Sequence, residues 1–121
     1  MLRKSAILAT LIGALAGPAA AVEHYVIIVG DGFFPDQVYP AIGDTVRFVN
    51  QSGTSTSASA TDDTWTTGVL EPDAQYVLNV TDGMAQDFVS PLSASSGTVG
   101  MIDYQNAPPL ELETNSEHNH N

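Results

Sequence analysis

The segment Thr45-Val46-Arg47-Phe48-Val49-Asn50 alternates with a period of two, placing Val46 and Phe48 on one face of an extended strand and Thr45, Arg47 and Val49 on the other. Downstream, Gln75-Tyr76-Val77-Leu78-Asn79-Val80 alternates in the same way before the turn pair Asp82-Gly83, and Thr98 to Tyr104 repeats the pattern. Upstream, Tyr25 to Val29 is a nearly continuous apolar run suited to a buried strand, and Asp31-Gly32 ends it with turn chemistry before Phe33-Phe34-Pro35 opens the next element. About seven short strands with frequent turns and no amphipathic helix predict an all-β domain of two packed antiparallel sheets, a Greek-key β-sandwich.

Two stretches fall outside this pattern. Gln51 to Asp63 is almost entirely Ser, Thr, Ala, Gly and Asp, and reads as either a polar edge strand or a loop. From Ala107 the chain carries Pro108-Pro109, three glutamates and His118-Asn119-His120-Asn121, which cannot bury enough apolar area to order itself. The sandwich is therefore expected over residues 22 to 105, with residues 106 to 121 as a flexible acidic tail. Residues 1 to 21 read as a cleavable signal peptide: Arg3-Lys4, an apolar run from Ala6 to Leu15, then Pro18 and the small residues Ala19-Ala20-Ala21. That run is too short to span a bilayer, and no later segment is apolar enough to do so, so the expected location is the periplasm or the extracellular space.

Loss of the leader would remove Arg3 and Lys4 and leave Arg47 as the only Lys or Arg against 14 acidic residues. Nucleic acid and anionic lipid are poor partners for such a chain, whereas a basic protein surface or a cation suits it. The same acidity also serves solubility. There is no cysteine, so packing alone must hold the fold.

Several segments together resemble one known family. Phe33-Phe34-Pro35, Val38, Pro40, Gly43-Asp44-Thr45-Val46 and Phe48-Val49-Asn50 are followed by Trp65-Thr66-Thr67-Gly68-Val69-Leu70, Tyr76, Gly97, Val99, Gly100 and Ile102. In order and spacing this is similar to the plastocyanin-like cupredoxins, the blue copper proteins. The resemblance covers about residues 25 to 104 and implies a seven- or eight-stranded sandwich. It also implies where copper would sit. The family's ligand loop reads Cys-x-x-His-x-x-x-x-Met followed by Val-Gly, and the aligned positions here are Ser90, Ser93 and Thr98 before Val99-Gly100. The remaining histidine aligns with Thr56, or with Ser57 if the loop shifts by one. A type 1 centre requires a soft thiolate, which a hydroxyl does not replace. These four positions are thus read as a degenerate copper site, either a small polar pocket or hydroxyls that satisfy one another or bind water.

All three histidines lie near the chain ends. If cleavage follows Ala21, His24 becomes the third residue of Val22-Glu23-His24, a pattern whose amine, two amides and imidazole can chelate Cu(II) in a plane. His118 and His120, beside Glu117, offer a loose divalent site in the tail. No nucleophile elbow, His-Glu-x-x-His or phosphate loop is present, so a non-enzymatic role is expected. Three readings follow: a binding module with no cofactor, a copper-handling protein using the terminal histidines, and family-type electron transfer.

Overall fold

A computed structural model describes residues 20–109. Eight strands form in chain order: β1 (Glu23–Val29), β2 (Gly32–Phe34), β3 (Gln37–Val38), β4 (Thr45–Asn50), β5 (Ser59–Ala60), β6 (Gln75–Asn79), β7 (Asp87–Val89) and β8 (Gly100–Ile102). One short helix, α1 (Pro91–Ser96), joins β7 to β8. The strands form two four-stranded sheets, ordered β2-β1-β4-β6 and β3-β8-β7-β5. The strand expected over Thr45 to Asn50 forms with those bounds, its Val46 and Phe48 wholly buried, while Val49 on the other face is buried as well.

Three expectations need correction. The sheets are mixed rather than antiparallel, because β1 runs parallel to β4 with Glu23 to Ile28 opposite Thr45 to Asn50, and β3 runs parallel to β8. The hairpin with β2 occupies one edge of β1, and β4 reaches the other only after the chain has crossed to the opposite sheet through β3. Secondly, a six-residue helix, α1, stands where the sequence predicts strands and turns with no amphipathic helix. Thirdly, the last strand is confined to Gly100–Ile102, shorter than the alternation from Thr98 to Tyr104 implied. The polar stretch from Gln51 to Asp63 resolves into loop plus the two-residue edge strand β5, which pairs with β7.

Apolar side chains from both sheets meet between them: Val26, Ile28, Phe48 and Leu78 from one, Val38, Phe88 and Ile102 from the other. Each large side chain buried in this way contributes about 1.5–3 kcal/mol. Phe88 is the hub, its ring centroid 4.7 Å from Phe33, 5.4 Å from Phe48 and 5.9 Å from Trp65. Gly100 on the neighbouring strand is required there, since a Cβ would overlap the Phe88 ring. Trp65 packs against this core and donates Nε1 to the Ala85 carbonyl at 2.9 Å. Ala20 and Ala21 are the only described residues of the expected leader, and the tail from residue 110, including His118 and His120, lies outside the described residues.

Candidate functional site

Three of the four positions that the resemblance gives to copper ligands, Ser90, Ser93 and Thr98, lie in the β7–β8 connection. β7 ends at Val89, and Ser90 follows in extended conformation as the N-cap of α1, with Pro91 in its first turn. The Ser90 hydroxyl accepts from the Ser93 amide at 3.0 Å, and the Ser93 hydroxyl accepts from the Ser90 amide at 2.9 Å. This is a reciprocal capping box, with Ser where Glu or Gln is more usual at the third position. Ser93 Oγ also donates to the Ser90 carbonyl at 3.3 Å. Both serines are almost fully buried. Gly97 closes the helix in the left-handed region, φ 79°, donating its amide back to Ala94.

Thr98 follows at once and is turned toward a different neighbour. Its methyl carbon stands against Gly32, and its hydroxyl bonds Ser96 Oγ, which in turn donates to the Asp31 carbonyl at 3.0 Å. Thr56 sits in an isolated bridge with Leu70, its amide and carbonyl both paired to that residue. Asn50 holds this segment in place. Wholly buried at the end of β4, it donates Nδ2 to the carbonyls of Thr54 and Leu70, while Ser52 donates to its Oδ1. The Thr56 hydroxyl is different from all of these: it is buried and makes no hydrogen bond. Leaving such a group unpaired costs about 1–3 kcal/mol.

A second polar centre gathers at the opposite end of β4. Asp44, 9% exposed, accepts from the Val22 amide at 2.9 Å on Oδ1, and from the Ala41 amide at 2.9 Å and His24 Nε2 at 3.0 Å on Oδ2. The amides of Val22 and Ala41, then the imidazole, hold its carboxyl at a pKa of about 2. His24 lies inside β1, opposite Val46. Planar chelation through Val22, Glu23 and His24 would therefore require the imidazole to leave Asp44 and two amides to leave the start of a strand. Arg47 binds Glu23 at 3.0 Å and donates to Gln75 Oε1 at 2.8 Å, and its bonds hold Glu23 below the usual carboxylate range. The one arginine of the described residues is thus already engaged.

A cavity of about 350 Å³ opens beside Trp65. Leu78 and Met84 contribute apolar surface, and Asp62, Asn79 and Thr81 contribute polar groups. Bonds from the Thr64 hydroxyl and amide hold the Asp62 carboxyl below its ordinary range. Among the described residues, no three His, Cys, Asp or Glu side chains converge as metal ligands would, and no helix is long and apolar enough to cross a membrane.

The sequence carries no local signal for the bonds that Asp44 and Asn50 make or for the cavity beside Trp65. For Asn50 and Asp44 the partners lie 20 or more residues away, apart from the near contacts with Ala41, Ser52 and Thr54. The Ser90-Pro91-x-Ser93 cap, by contrast, carries a local signature.

No protein-family model matches the chain, and no curated protein sequence matches it. Among solved structures, the Cu-containing nitrite reductase NirK from Thermus scotoductus SA-01 is similar, with a TM-score of 0.60 and 22% identity over 80% of this chain. The match spans 27% of that protein's length. The fold is accordingly a cupredoxin-like β-sandwich.

Proposed function

We propose that this chain is an exported, plastocyanin-like cupredoxin domain without a type 1 copper site, acting as a non-redox, non-enzymatic binding module for a cationic partner. The observation that carries the reading is the Ser90–Ser93 capping box. The two positions that resemblance gives to thiolate and imidazole are buried and already bonded to each other's backbone amides. Blue copper needs a short metal–thiolate bond, and the chain has no cysteine. The donor set of Thr56, Ser90, Ser93 and Thr98 does not fit that ion.

The partner's chemistry follows from charge. Beyond the leader, Arg47 is the sole Lys or Arg and is engaged with Glu23, so the remaining carboxylates set a negative field over the surface. The cavity beside Trp65 pairs an apolar wall with the ionised Asp62, a combination suited to the alkyl stem and charged head of Lys or Arg. The test is a calorimetric titration of residues 22 to 121 with an arginine-rich peptide, read in parallel by Trp65 fluorescence. Salt-weakened one-to-one binding that Asp62→Asn diminishes supports the reading. Absence of binding at low salt, or binding indifferent to Asp62→Asn, refutes this site. The copper-handling alternative rests on His24, His118 and His120, and at His24 copper has to displace Asp44 first.

A further inference from the structure

Asp44 draws three donors from two stretches of chain, Val22 to His24 and Ala41, and one of them is the backbone nitrogen of Val22. Val22 directly follows Ala19-Ala20-Ala21, the small-residue run at which a leader would be cut. Ala20, Ala21 and Val22 are exposed and precede β1, so the Ala21–Val22 bond is open to a protease, and among the described residues the core is built from Val26 onward. Val22 itself is fixed from both sides: its nitrogen bonds Asp44, and its carbonyl accepts from the Thr45 amide at 3.0 Å.

We infer that Asp44 is the receptor for the α-ammonium created at Val22 when an export peptidase removes residues 1 to 21. In that hydrolysis, water adds its hydroxyl to the Ala21 carbonyl carbon, the C–N bond breaks, and the Val22 nitrogen leaves as an amine that takes up a proton. The neutral amide bond to Oδ1 at 2.9 Å becomes an ion pair in the same geometry. Asp44 is suited to this because Ala41 and His24 already hold it as a carboxylate. The other titratable groups at this corner are Glu23 and His24 on β1 and Arg47 on β4, and Arg47 is taken by Glu23. Processing thus completes the fold by pinning the first residue of the mature chain to the start of β4. The same ion pair occupies the amine that copper chelation at Val22-Glu23-His24 would need.

The mature chain lends itself to a direct test, since it contains no lysine and Val22 carries its only amine. The full chain is expressed with its own first 21 residues in a secreting host, and the recovered protein is weighed by mass spectrometry; a start at Val22 is expected, and any other start overturns the inference. Acylation of the α-amine is then timed at neutral pH. The wild-type amine reacts about tenfold more slowly than that of Asp44→Asn, as an ion-paired ammonium should. Equal rates overturn the inference. Because Asp44→Asn also weakens the Ala41 and His24 contacts, a second comparison leaves Asp44 intact. The chain starting at Val22 melts at a higher temperature than the same chain bearing an Nα-acetyl group, and this difference disappears in Asp44→Asn. An undiminished difference in the variant overturns the assignment to Asp44.

Discussion

The β7–β8 connection and the start of β4 both bury polar side chains, and they satisfy them in opposite ways. Ser90 and Ser93 bond each other's amides across three residues, so the loop closes on itself. Asp44 instead collects Val22, His24 and Ala41, joining the beginning of the domain to its central strand. A locally closed loop can be rewired without disturbing the sandwich, whereas a long-range cluster is part of how the sandwich is assembled. The contrast shows that the polar groups of the β7–β8 connection are satisfied without help from the rest of the sandwich.

The broadest way to break this contrast is to remove what both regions share. Phe88→Ala takes away the ring on which Phe33, Phe48 and Trp65 converge, and should cost about 3–5 kcal/mol in urea unfolding. It should loosen both ends together; exchange protection lost at only one end would show that they do not share a core.

Asp44 should rank next. Its folded pKa of about 2 lies below its ordinary value of 3.8, so its stabilisation is full above the unfolded value and is lost as pH falls from 3.8 toward 2. Asp44→Asn is expected to lower Tm at neutral pH and to flatten the fall in Tm across that acid window. An unchanged acid slope would mean that Asp44 does not bind the chain start as described.

Ser90→Ala removes one N-cap and should cost about 1 kcal/mol, with increased hydrogen exchange confined to α1 and Gly97, and Ser90→Asp should restore most of it. Disturbance spreading to β1 and β4 would erase the distinction between local and long-range bonding. Thr56→Val is expected to have the smallest effect and the opposite sign. It deletes an unpaired buried hydroxyl at nearly constant volume, and should stabilise by about 1 kcal/mol or leave stability unchanged. A clear loss in unfolding free energy would reveal a partner for that hydroxyl.

The same division marks what could be read from sequence. Alternation from Thr45 to Asn50 revealed β4 directly, because burial on one face repeats every two residues. It carries no information on strand direction, so the parallel pairing of β1 with β4 was invisible. With that register went Asp44, whose link to Val22 spans 22 residues. The six residues of α1 are too few to show helical periodicity. Ser90, Pro91, Ser93 and Gly97 carry its capping signals, but the resemblance presents the two serines as replaced ligands or mutually satisfied hydroxyls and not as a helix cap. Placement of Thr56, Ser90, Ser93 and Thr98 by resemblance gave the positions to inspect, while the bonds each makes depended on the folded loops.

The most direct measurement is a Cu(II) titration of residues 22 to 121 carrying His24→Ala, His118→Ala and His120→Ala, followed by calorimetry and visible absorption. The account predicts no stoichiometric binding in the micromolar range and no intense visible band. Uptake of one equivalent that is then abolished by Ser90→Ala or Thr56→Val would contradict it, because the hydroxyl positions would be holding a metal that their donor chemistry does not fit.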